Sequence, residues 1–62
     1  MKMVIGNKYK WKYEKDICIY VGKTGNWNLF VLESTGKPWC EVLDSDLHMM
    51  EEVKCNEVIS KQ

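Results

Sequence analysis

Lysine and aromatic residues alternate strictly through Lys8-Tyr9-Lys10-Trp11-Lys12-Tyr13. Period-two alternation sends successive side chains to opposite faces of an extended chain, so this segment predicts a half-buried strand. Tyr9, Trp11 and Tyr13 share one face and three lysines the other. Glu14-Lys15-Asp16 breaks the pattern. Residues 17–22 are rich in β-branched and aromatic side chains and predict a second strand. Lys23-Thr24-Gly25-Asn26 supplies a turn in which Gly25 can take a positive φ. Residues 27–33 are the most apolar segment and predict a central strand. Ser34-Thr35-Gly36-Lys37 makes the next turn, and residues 39–43 form a fourth strand. Pro38 opens that strand, where a missing N–H is tolerated.

The pattern then changes. Asp44-Ser45-Asp46-Leu47-His48 predicts one tight 3₁₀ turn, capped by Asp44 or Ser45, with Leu47 tucked under the sheet. Residues 49–53 close the sheet as a short fifth strand. A competing reading makes 45–55 one amphipathic helix, because Met49 and Val53, or Leu47, Met50 and Lys54, fall at helical spacing. The strand is preferred. Residues 56–62 are a polar tail. The whole chain, 1–62, reads as one all-β domain with its folded part at about 8–53.

Five short strands, tight hairpins and one helical turn before the last strand follow the order of an SH3-like barrel. The runs Ile19-Tyr20-Val21-Gly22, Trp27-Asn28-Leu29-Phe30, Trp39-Cys40-Glu41-Val42-Leu43 and Asp46-Leu47 resemble the small SH3-like (Tudor- or KOW-like) barrel proteins of tailed bacteriophages. The likeness is a pattern of strands over roughly residues 8–53 and pins no single family. It implies a five-stranded barrel acting through its loops or a strand edge, as a phage accessory protein that engages a component of the host.

Size narrows the function classes. A 62-residue chain has a thin core, and too few side chains remain to line a deep catalytic cleft. A surface-acting, non-enzymatic binding module is the expectation, with no cofactor. Three cysteines (Cys18, Cys40 and Cys55) without close pairing do not resemble a disulfide-stapled secreted framework. No apolar run is long enough for a signal core or a membrane span. The expected setting is the cytoplasm, with reduced thiols and no membrane partner.

Nine lysines balance nine acids, and arginine is absent. The first 31 residues hold six lysines and two acids, and the remainder three lysines and seven acids. A dipolar surface would suit a complementary protein, or a second copy pairing through an edge strand. Solvated faces explain the same charges. Without arginine, bidentate contacts to guanine edges are not on offer.

Aromatic residues are the most informative candidates. Ile19, Val21, Phe30, Leu32, Val42 and Leu47 are assigned to the interior. That phase turns Tyr20, Trp27 and Trp39 outward as a protein-binding patch. Filling a small barrel uses the same side chains. The alternative is a single-stranded nucleic-acid or RNA face of Lys8, Lys10, Lys12 and Trp11, with Trp27 beside it, where bases stack along a cationic groove. Zero net charge argues against it, and lysines on an edge strand also discourage unwanted pairing.

Metal and catalytic constellations are weak. Cys18, Cys40, Cys55 and His48 form a nominal Cys₃His set but lack the close C-x₂₋₄-C pairs of structural zinc sites. Buried cysteines acting as small apolar residues are the simpler reading. Ser45, Asp46 and His48 are sequence neighbours, yet their spacing does not align a nucleophile, orienter and base. No metal site and no catalytic residue is assigned.

Overall fold

Gly25 and Asn26 form a two-residue loop, and the hairpin it makes anchors the sheet. The computed structural model describes residues 2–53. Within them β2 (Cys18–Thr24) runs antiparallel to β3 (Trp27–Leu32), with Thr24 opposite Trp27. Gly25 has φ of +59° and Asn26 a negative φ, the combination that a type II′ loop uses to match strand twist. On either side lie β4 (Pro38–Leu43), paired with β3, and β1 (Lys8–Trp11), paired with β2. Finally β5 (Met50–Glu52) pairs with β1.

The order across the sheet is β4-β3-β2-β1-β5, with every neighbouring pair antiparallel. A 3₁₀ helix, Asp44–Met49, carries the chain from one edge strand directly to the other. The fold is therefore all-β, as expected. It is one open sheet: among the described residues β4 and β5 do not pair, so the closure that a barrel requires is absent.

The core sits on one face. Tyr9, Tyr20 and Phe30 form an aromatic trio, with ring centroids 5.4–6.4 Å apart and largely edge-on or tilted contacts. Such geometry sets a ring edge against a negative ring face. Cys18, Val42, Leu47 and Met50 complete the buried cluster, with Met3, Trp11 and Cys40 packed at its border. Register explains the set. Tyr9 lies opposite Cys18, Tyr20 opposite Phe30, Phe30 opposite Cys40, and Trp11 opposite Met50. Directly opposed residues share a face, so one aligned pair commits the whole ladder.

This register overturns the expected phase of β2. Ile19 is half-buried and Val21 is 46% exposed, whereas Tyr20 is only 6% exposed. Both faces of β2 carry apolar side chains, so pattern alone did not decide between them. Pairing with Phe30 did. Phe30, Val42 and Leu47 are buried as expected, and Leu32 is half-buried.

Other boundaries shift locally. Strand β1 stops at Trp11, and Tyr13, expected on its inner face, is 87% exposed beyond a turn in which Glu14 N–H donates to the Trp11 carbonyl. The 3₁₀ helix and β5 replace the competing helix over 45–55 within the described part of that range. Leu43 occupies the helix N-cap without a side-chain cap. Asp44 does not cap, because its carboxylate is engaged by Asn28 and Lys23 instead. The tail, 56–62, lies outside the described residues.

Candidate functional site

Two β-bulges shape the face of the sheet that turns away from the core. On β2 the register passes from Tyr20 opposite Phe30 to Gly22 opposite Leu29, leaving Val21 as the extra residue. Gly22 has φ of +148°, a conformation that glycine adopts most readily. On β4 it passes from Cys40 opposite Phe30 to Pro38 opposite Val31, leaving Trp39 extra. A bulge bends its strand and re-aims a side chain. Here each bulge adds a large apolar side chain to the outer face, one on either side of β3.

Between them lies a groove of about 580 Å³ whose lining includes Val21, Leu29, Val31, Pro38, Trp39 and Glu41. Leu29 and Val31 are half-buried, while Val21 and Trp39 are exposed. A strand with apolar residues on both faces is one that expects cover on both. The core covers the inner face of β3. Among the described residues no element covers the outer one.

Of the aromatic patch expected from the sequence, the structure brings only part together. Trp39, 39% exposed, lines the groove. Trp27, 45% exposed, lies opposite Leu43 near the hairpin end. The nearest groove residue along β3, Leu29, is two positions on, roughly 7 Å at the ordinary rise. Trp27 shares the outer face without lining the groove. Tyr20 belongs to neither, being a core residue whose hydroxyl donates to Asn28 Oδ1 at 3.1 Å. Val21, Leu29, Val31, Pro38 and Glu41 were missed. For Leu29 and Val31 the signal was the apolar run Leu29–Leu32 of β3, which puts apolar side chains on both faces.

The lysine strand is divided differently. Lys8 and Lys10 project from β1 on the side opposite Tyr9 and Trp11. Lys8 pairs with Glu33, and Lys10 Nζ lies 2.9 Å from Glu51 and also donates to the carbonyls of Trp11 and Glu14. Lys12 is exposed just past the strand, where its N–H donates to the Met49 carbonyl. Trp11 is half-buried at the border of the core. The Lys8 and Lys10 side chains therefore leave the strand on the face opposite the Trp11 indole, and Lys10 meets Trp11 only at its main-chain carbonyl. Each ion pair found, including Lys23 with Asp44, joins a lysine of the first half to an acid of the second. Much of the charge asymmetry along the chain is thereby consumed within the fold.

Cys18 and Cys40 lie on the strands that flank β3, on its inner side. Cys18 donates to the Tyr9 carbonyl at 3.2 Å. The neighbouring Cys40 and then burial hold Cys18 protonated, its pKa pushed far up. Cys40 is moved the other way, first by the Cys18 thiol and then by the Trp11 side chain, against the effect of burial. Both cysteines are free. No group of three or more metal-binding side chains gathers among the described residues, and Cys55 lies outside them. His48 Nδ1 meets the Ser45 main-chain oxygen at 2.9 Å, a contact within one helical turn.

No helix among the described residues is long and apolar enough to cross a membrane. No protein-family model, curated protein or solved structure matches the chain.

Proposed function

We propose that this chain is a small non-enzymatic binding module that engages a protein partner through the outer face of its sheet, around Trp39. The groove carries the reading. Val21, Leu29, Val31, Pro38 and Trp39 present a contiguous apolar surface to water, assembled by two bulges on either side of the central strand. Surfaces of this kind mark interaction sites, and an aromatic side chain seated among aliphatic ones is a typical anchor. The five-strand order, with the 3₁₀ helix linking the two edges, supports an SH3-like reading of the fold. On that resemblance the module is a bacteriophage accessory protein that modulates a host protein in the host cytoplasm.

A nucleic-acid face of Lys8, Lys10, Lys12 and Trp11 has less support. Trp11 is turned toward the core, and acids already engage Lys8 and Lys10. The two readings separate in one experiment. Tagged full-length chain is used to capture partners from bacterial lysate, with and without nuclease and across a salt series. The expected result is a protein retained after nuclease and at high salt, and lost with Trp39→Ala. Capture that nuclease abolishes and that falls steeply with salt overturns the proposal in favour of nucleic acid.

A further inference from the structure

The free edge of β4 lies beside the groove, and its hydrogen-bonding phase is readable. Asp44 N–H donates to the Asn26 carbonyl at 3.0 Å. From that bond the antiparallel alternation directs the peptide groups of Val42 and Cys40 toward β3. The intervening peptide groups of Glu41 and Leu43 then point away from the sheet, whereas beyond the bulge the Leu32 N–H bond to the Lys37 carbonyl sets a phase that turns Trp39 toward β3. Among the described residues β4 has no neighbour on the side away from β3. The side chains of Glu41 and Leu43 stand on the outer face, and Glu41 also lines the groove.

We infer that this edge accepts an extended segment of a partner protein as a sixth strand, one that alternates apolar residues with a central lysine or arginine. The inference rests on the binding-module reading and names the partner's chemistry. An added strand would satisfy the outward peptide groups and set alternate side chains over the outer face. A residue opposite Leu43 meets an apolar neighbour. The residue opposite Glu41 meets a carboxylate that is exposed and pairs with no cation among the described residues. A cation there gains an opposed-charge cross-strand pair.

Charge also decides against a second copy as the occupant. Antiparallel β4–β4 pairing that uses the outward groups of Glu41 and Leu43 sets Glu41 opposite either its own equivalent or the copy's Leu43. The first register opposes like charges, which is destabilising, and neither offers the carboxylate a cation. Pro38 and the bulge at Trp39 further shorten the edge that a copy could use.

A random nonapeptide library, screened against the tagged full-length chain, tests the inference. Recovered peptides are expected to alternate apolar residues about a lysine or arginine. On isotope-labelled protein they should shift the Glu41 and Leu43 amides and slow their hydrogen exchange. Glu41→Lys should weaken binding by about tenfold or more and favour peptides carrying glutamate at the centre. Glu41→Pro removes an outward N–H and leaves the ladder to β3 intact, so it should abolish binding while Glu41→Thr retains part of it.

Peptides without alternation, or binding that survives Glu41→Pro yet fails with Trp39→Ala, overturn strand addition and leave outer-face recognition standing. Recovery of no peptide, while a nuclease-resistant protein is still captured from lysate, has the same meaning. Slow exchange of the Glu41 and Leu43 amides in the unliganded chain also overturns the inference, since the edge is then already occupied.

Discussion

The hydroxyl of Tyr20 donates to Asn28 Oδ1 at 3.1 Å, and both residues are buried. This bond converts an aromatic side chain that the sequence placed on the surface into part of the core. Asn28 returns two further bonds, from Nδ2 to the Val42 carbonyl at 3.0 Å and to Asp44 Oδ1 at 2.8 Å. Asp44 in turn holds Lys23 at 2.9 Å. A buried amide that uses both its oxygen and its nitrogen avoids the desolvation penalty that otherwise makes Asn rare inside.

The network should be measurable by urea denaturation. Tyr20→Phe leaves the Asn28 oxygen without its donor and should cost about 1–2 kcal/mol. Asn28→Ala strands the Tyr20 hydroxyl, frees Asp44 and opens a void, at about 3 kcal/mol. A neutral Tyr20→Phe would mean that this hydroxyl faces water and that the β2 phase is the one first expected.

Acid sensitivity follows from Asp44. Its carboxyl lies below the ordinary value near 3.8, held there first by the Lys23 ammonium and then by the Asn28 amide. A depressed folded pKa contributes stability that is complete above the unfolded value and is lost as pH falls through the folded one. Asp44→Asn should therefore flatten the acid limb of stability below about pH 4 and leave the neutral region nearly level. Lys23 behaves inversely. Its pKa is raised by Asp44, so its contribution is complete below 10.5 and fades as pH rises through the higher folded value. An acid limb unchanged by Asp44→Asn would count against the pair.

Thiol chemistry should tell the two inner cysteines apart. In a Cys55→Ser background iodoacetamide is expected to modify Cys40 well before Cys18, because the thiolate is the nucleophile and only Cys40 has it favoured. Trp11→Phe removes the indole donor and should slow Cys40. Peptide mapping by mass spectrometry reads the order directly. Equal rates at the two positions would refute the asymmetry.

Trp39 and Phe30 are neighbours across a bulge with opposite roles. Phe30 is 2% exposed, and Phe30→Ala should cost about 3–5 kcal/mol, enough to abolish cooperative unfolding in so small a domain. Trp39→Ala should change stability by less than about 1 kcal/mol. Calorimetry of both variants decides whether Trp39 serves recognition. A large loss with Trp39→Ala would make it structural.

Strand positions were legible because short apolar runs and turn residues punctuate the chain. The alternation at Lys8–Trp11, the Gly25-Asn26 loop, and the 3₁₀ turn around Leu47 all appear where local chemistry places them. The candidate site was legible only in Trp39. Val21, Leu29 and Val31 lie on β2 and β3, both of which carry apolar residues on either face, so period-two reasoning has little contrast to work with there; Pro38 and Glu41 join them only through the bulged register of β4.

The sequence by itself therefore determined an all-β chain, its turns and the approximate strand bounds, because these depend on each residue's own backbone preference and nearest neighbours. Tertiary structure decided which face of β2 is buried, since only pairing with Phe30 distinguishes Tyr20 from Val21. It decided that Lys8, Lys10 and Lys23 spend their charge on Glu33, Glu51 and Asp44, partners 21 to 41 residues away. It also decided the groove, because a bulge is a mismatch between two strands and belongs to neither alone.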